Sequence, residues 1–190
     1  MSSRTQLVTV FACILAALGL VGYQVFRPPS GRTYAPGTTF AEGARLAELS
    51  TNGVRVVIFM EADSQGQPLL RATFTPIDRG FHVYSKDLDP KTTGGVGLAT
   101  RLELLPHVSV RSAGQLFADI ASQSHPVKEL GTSVEIYPDG PVTLRLPIRI
   151  VEATTNLTAQ VAVSYMACKT DGVCLPPVER EVLDVRVAAR

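Results

Sequence analysis

Leu157-Thr158-Ala159-Gln160-Val161-Ala162-Val163-Ser164-Tyr165-Met166-Ala167-Cys168-Lys169-Thr170-Asp171-Gly172-Val173-Cys174-Leu175-Pro176-Pro177 is the stretch from which the rest of the chain is best read. Leu157, Ala159, Val161, Val163, Tyr165 and Ala167 fall on one face; Thr158, Gln160, Ala162, Ser164, Met166 and Cys168 fall on the other. That period of two predicts a strand with one face on a core. Asp171-Gly172 is a strong short-turn signal, so the strand should run into a hairpin with Cys168 and Cys174 flanking its tip. Facing residues of a hairpin lie about 5 Å apart, close enough for a disulfide. Provided no bulge precedes the hairpin, parity puts Cys168 with the polar set, away from the core and within reach of a partner thiolate. The Pro176-Pro177 pair breaks the phase, so the same argument does not extend to Cys174.

The residues alone leave three readings of the pair open. A structural staple would close so short a loop for only ~2–3 kcal/mol. A redox-active disulfide would be made and broken in use; the spacing is not C-x-x-C, so a thioredoxin-type helix terminus is not implied. A metal site is the third. Zinc wants four ligands, and His82, His107 and His125 have no matched spacing, whereas Met166, Cys168 and Cys174 form a soft set suited to copper(I). There is no G-x-S-x-G, P-loop or H-E-x-x-H motif.

The compartment follows from the other end of the 190-residue chain. Leu7 to Phe26 is almost wholly apolar and, at ~1.5 Å per residue, long enough to cross a bilayer core of about 30 Å. It lacks a clear small-x-small cleavage site, so residues 1–26 are expected to be an uncleaved transmembrane or signal-anchor helix rather than a signal peptide. Cys13 lies mid-run and is expected to face lipid. Residues 27–42, rich in Pro, Gly and Thr, read as a tether, and 43–190 as one domain large enough for a core. A cysteine pair in an exported domain points to a disulfide. A net charge of +1 with no basic cluster argues against nucleic acid as a partner.

Almost every later segment alternates in the same way. Val54 to Met60, Leu70 to Phe74, Val142 to Ile150 and Leu183 to Val187 each read as a half-buried antiparallel strand. They are separated by the turn clusters Asp63 to Gln67, Asp78-Arg79-Gly80 and Pro138-Asp139-Gly140-Pro141. Many short strands with regular turns predict an all-β sandwich. Pro147, at an outward position, marks an edge or a bulge. Asp89 to Thr100 reads as a mobile loop or extended arm, and Ser112 to Ser124 as a short helix or an irregular insert.

Val163-Ser164-Tyr165-Met166-Ala167-Cys168, with Cys174-Leu175-Pro176-Pro177-Val178-Glu179, resembles the active-site segment of the N-terminal periplasmic domain of the DsbD thiol:disulfide interchange family: a strand ending in Tyr-x-x-Cys, five residues, then Cys-x-Pro-Pro. Gly80-Phe81-His82-Val83-Tyr84 is similar to the family's glycine-aromatic strand, and Val134-Glu135-Ile136-Tyr137 to a third segment. The resemblance implies an immunoglobulin-like sandwich and a thiol–disulfide oxidoreductase that needs no cofactor and no metal. By that analogy Cys174 forms mixed disulfides and Cys168 resolves them. Tyr165 belongs to the motif, and His82 and Tyr84 occupy the positions of aromatic side chains under the cysteines. His82 stands where a member of the family has tyrosine and could bias a nearby thiol. The family's cap loop maps to Val127-Lys128-Glu129-Leu130-Gly131, which has no aromatic residue and leaves Leu130 as the shielding candidate.

The resemblance also implies partners that are thioredoxin-like or other thiol–disulfide proteins. Together with the one apolar segment, it implies a place at the bacterial inner membrane, single-pass, with the C-terminal domain in the periplasm or otherwise extracytoplasmic. The chain has one apolar segment and stops at Arg190, so its partners are expected to be separately encoded. Two alternatives differ in class: a non-enzymatic immunoglobulin-like interaction module with a structural disulfide, and a copper(I)-handling domain.

Overall fold

The structure is a computed structural model that describes residues 43–187 apart from 92, 128–130 and 152–156. The apolar segment 1–26, the tether 27–42 and Leu130 lie outside the described residues. No helix among the described residues is long and apolar enough to cross a membrane.

Thirteen strands form among those residues. Six of them, β1 (Arg45–Thr51), β2 (Val54–Ala62), β3 (Pro68–Pro76), β6 (Val110–Ser112), β7 (Phe117–Ala118) and β10 (Val142–Ile150), make one sheet in the order β1-β2-β3-β10-β6, with β7 also on β10. A second sheet has the order β13-β11-β5, from β5 (Arg101–Leu104), β11 (Leu157–Tyr165) and β13 (Val178–Val187). Every pairing is antiparallel. The alternating residues of the sequence fill one core between the two sheets: Val54, Val56, Ile58, Leu70, Ala72, Phe74, Val142, Leu144 and Ile148 from the first, and Ala159, Val161, Val163, Tyr165, Val185 and Val187 from the second. The fold is an all-β sandwich, as the strand pattern predicts, and immunoglobulin-like, as the resemblance implies.

Local chemistry fixes the turns. Asn52 and Gly53 both take positive φ, the conformation a two-residue hairpin loop requires between β1 and β2. In the loop between β2 and β3, Asp63 Oδ1 accepts hydrogen bonds from the backbone N–H of Gln65 and Gln67, both at 2.8 Å. On the outer face, Glu61 accepts from Arg71 at 3.1 Å and Arg145 at 2.6 Å, tying β2, β3 and β10 together.

Two expectations need correction. Pro147 is at neither an edge nor a bulge: its register against β3 is unbroken. On the other side of β10, β7 pairs with Leu144 and Arg145, and β6 with Ile148 to Ile150. The missing N–H of Pro147 falls in the gap between those two partners, where no ladder bond is lost. Of the two readings of Ser112 to Ser124, the short helix is wrong and the irregular insert holds: the stretch supplies the end of β6, then the two-residue β7 and the start of β8 (Gln123–Val127), with irregular chain between them.

Two smaller ladders build the end of the domain that carries the cysteines. One pairs β4 (Phe81–Val83) with β12 (Ala167–Lys169); the other pairs β8 with β9 (Thr132–Ile136). The backbone of β4 also meets β9: Ser85 N–H donates to Glu135 O at 2.8 Å, and Tyr137 N–H donates to Val83 O at 3.0 Å.

Candidate functional site, a disulfide over a buried histidine and tyrosine

After Met166 the chain leaves β13 and continues as β12, whose partner is β4: Ala167 faces Val83, Cys168 faces His82, and Lys169 faces Phe81. Alternation then splits this ladder between two environments. Phe81, Val83 and Ala167 point into the main core. Cys168, on the opposite face with Tyr84, enters a second apolar cluster with Leu88, Ala99, Val134 and Ile136. Parity thus holds through the hairpin, and Cys168 does turn away from the main core. It is nevertheless only 2% exposed, because the hairpin of β8 and β9 and the segment around Leu88 and Ala99 cover that face. Ala99, within the stretch read from sequence as a mobile loop or extended arm, is part of this cover.

The turn Lys169 to Gly172 closes with Gly172 N–H donating to Lys169 O at 3.0 Å, and Gly172 takes the positive φ of 92° that the loop needs. Lys169 N–H donates to Val173 O at 2.8 Å and Leu175 N–H to Ala167 O at 2.9 Å. These bonds leave Cys168 and Cys174 as a non-hydrogen-bonded pair, the position at which facing side chains come closest. Their Cα atoms are 4.0 Å apart and the two sulfurs are bonded. Cys174 is exposed, whereas Cys168 is buried in the second cluster.

Tyr84 touches the buried sulfur. Its hydroxyl lies 3.4 Å from Cys168 Sγ and donates toward it, since a disulfide sulfur can only accept. Burial pushes the Tyr84 phenol above its ordinary range, which keeps that proton in place at neutral pH. The strand is pinned behind it by the Thr100 hydroxyl, which donates to Tyr84 O at 2.6 Å. His82 is 3% exposed, with its ring 6.3 Å from those of both Tyr84 and His125. Its Nδ1 is 3.6 Å from Asp139 Oδ1, beyond hydrogen-bond reach, and is buried without a hydrogen-bond partner. Burial, more than the opposing pull of Asp139, holds the His82 imidazole below its ordinary pKa; His125 pushes the same way as burial.

The structure therefore brings Cys168, Cys174, His82 and Tyr84 together. Tyr165 stands apart. Three residues before Cys168, it has the opposite parity: its ring meets Phe74 edge-on in the main core at 5.7 Å, and its hydroxyl donates to Thr51 O. Lys169 extends over the Phe81 ring, and Asp171 accepts from Val173 N–H within the loop, so each has a local role in the hairpin. Of the cap stretch, Val127 packs against the second cluster. His125 and Asp139 were missed as site residues. His125 was legible only as a histidine without ligand spacing, and Asp139 only as a turn residue; the docking of β9 on β4 brings them to His82.

One position tests this packing directly. Gly97 has φ 84°, and a Cβ built there would sit 2.7 Å and 2.8 Å from atoms of the Tyr84 ring. Gly97→Ala should displace that ring, destabilise the domain by about 1–3 kcal/mol and open Cys168 to small thiols. Urea unfolding and the rate of disulfide reduction by dithiothreitol check it; unchanged values for both would refute the contact.

The sequence profile of "Thiol:disulfide interchange protein DsbD, N-terminal" matches residues 54–186, a span that takes in both cysteines and the strands from β2 into β13. The chain belongs to the DsbD N-terminal domain family. Among solved structures, a match is the Neisseria meningitidis DsbD N-terminal domain in its reduced form, at 16% sequence identity and a TM-score of 0.40, covering 64% of this chain and 77% of that one. No match was found among curated protein sequences. Membership of the DsbD N-terminal family places the domain in thiol–disulfide interchange, and the bonded cysteine pair is the group in it suited to that chemistry.

Proposed function

We propose that this chain relays reducing equivalents between partner thiol–disulfide proteins through Cys168–Cys174, as a thiol–disulfide oxidoreductase. The observation that carries the reading is the asymmetry of the bond: Cys174 is at the surface and Cys168 is buried. A thiolate must approach the sulfur it attacks, so the incoming partner bonds to Cys174 Sγ. The Cys168–Cys174 bond breaks, and its electron pair stays on Cys168 Sγ. A second thiolate of the partner then attacks the partner's own sulfur and releases Cys174, leaving the partner oxidised and the domain reduced. Running the same steps backwards on an acceptor disulfide completes the relay, with direction set by relative reduction potentials. Tyr84 supports the step by donating to the sulfur that leaves. Thioredoxin-like dithiols are the partners that suit it. The apolar segment Leu7 to Phe26 supports a place at the bacterial inner membrane with the domain on the extracytoplasmic side.

Mixing the oxidised protein with a reduced thioredoxin-like dithiol and trapping free thiols at intervals tests the reading. Two new thiols in the domain and two lost from the partner within minutes are expected. No transfer over hours would make the bond a structural staple and favour an interaction module.

A further inference from the structure

Interchange through Cys168 puts a negative charge on a sulfur that is 2% exposed. Apolar side chains, Leu88, Ala99, Val134 and Ile136, make up most of its surroundings. A thiolate there is costly unless a proton or a cation accompanies it. Two polar groups on the facing strand are placed to respond. Tyr84 is already donating. His82 is directly cross-strand from Cys168 and holds a buried ring nitrogen with no hydrogen-bond partner, 3.6 Å from a carboxylate oxygen of Asp139. The titratable groups facing His82 are His125 from β8, Asp139 from the turn before β10, Tyr84 on its own strand and Cys168 on β12.

We propose that His82 is a positioning residue for interchange: it takes up a proton when the disulfide opens and holds the released Cys168 sulfur as a thiolate, with Asp139 completing the charge balance on its other side. The inference rests on the interchange reading and adds the fate of the proton. The partner's thiolate bonds to Cys174 Sγ, and the electron pair of the broken bond goes to Cys168 Sγ. A proton from solvent goes to the imidazole. When the partner's second thiolate closes its disulfide, Cys174 leaves and, being exposed, is protonated by water. A partner dithiol has then given two electrons and two protons; the domain holds one proton on Cys174 and one on His82. Before reduction the sulfur carries no charge, and burial together with His125 keeps the imidazole neutral. After reduction the imidazolium lies between a thiolate and a carboxylate. The titrations of His82 and Cys168 are thereby coupled.

The test is an NMR titration of the histidine ring protons in the full-length protein, oxidised and reduced, with His82 assigned by its loss in His82→Phe. The His82 midpoint should rise on reduction by about one pH unit, a tenfold change in proton affinity. In parallel, the ultraviolet absorbance of the Cys168 thiolate in Cys174→Ser, followed against pH, needs no reagent to reach the sulfur; its midpoint should rise by about one pH unit when His82→Phe is added, and by less with Asp139→Asn. Equal His82 midpoints in the two redox states would overturn the proposal, as would superimposable thiolate titrations. If His82→Phe does not fold, His82 is assigned by elimination from His107→Gln and His125→Gln, the other two histidines of the chain, and the wild-type titration then decides. Failure of interchange itself has a different signature: no transfer to a dithiol partner at any pH, with the His82 shift intact.

Discussion

Cys168→Ser should leave a protein that reacts once and stops. With the resolving sulfur removed, the Cys174 thiolate at the surface can still attack the disulfide of an oxidised partner and form a mixed disulfide, releasing the partner's second sulfur as a thiolate, but no thiol of the domain can then displace the partner. Turnover should fall to background, and a mixed disulfide with the partner should accumulate, visible as a band that reductant removes. Cys174→Ser should also lose turnover but trap nothing at a comparable rate, because its remaining sulfur lies under Tyr84 and the cover of the second cluster. Non-reducing electrophoresis of both variants with a thioredoxin-like partner checks this. Equal trapping by the two variants would contradict the assignment of roles, since it would mean that burial of Cys168 does not decide which sulfur is attacked.

Phe74→Ala should destabilise the domain more than loss of the disulfide does. Phe74 is fully buried, faces Val56 and Val142 across the first sheet, and meets Tyr165 of the second sheet edge-on. Truncating a buried phenylalanine costs about 3–5 kcal/mol through lost transfer energy and the cavity left behind. A domain of this size has roughly 5–15 kcal/mol in all, so the loss is a large share. It also exceeds the ~2–3 kcal/mol expected from a disulfide that closes so short a loop. Urea unfolding with the disulfide intact and reduced should therefore show a larger midpoint shift for Phe74→Ala than for reduction of the wild type. The reverse order would mean that the hairpin, not the sandwich, holds the domain together.

The sandwich was legible because its strands are covered on one side only. Val54 to Met60, Val142 to Ile150 and Leu157 to Tyr165 alternate, and their apolar residues are those that meet in the core. The cysteine hairpin was legible from Asp171-Gly172 and from parity. What parity could not show was the second cover. Whether the face carrying Cys168 is wet or dry depends on the hairpin of β8 and β9, whose sequence signals are weak: it contains Pro126, and its pairing with β4 is a few long-range backbone bonds. For the same reason His125 and Asp139 could not be placed beside His82. They are 43 and 57 residues further along the chain, and only the tertiary fold brings them near. Tyr165 shows the opposite limit: its motif position groups it with the cysteines, while its parity sends it to the other side of the sheet.

The reduction potential of Cys168–Cys174, measured by equilibrating the full-length protein against defined thiol buffers, tests the central claim most directly. Many exchange proteins lie between about −180 and −270 mV, and a value in that interval is the predicted result. A value below about −300 mV would contradict the account, because a bond that stable would not be opened by dithiol partners and would serve only to hold the hairpin.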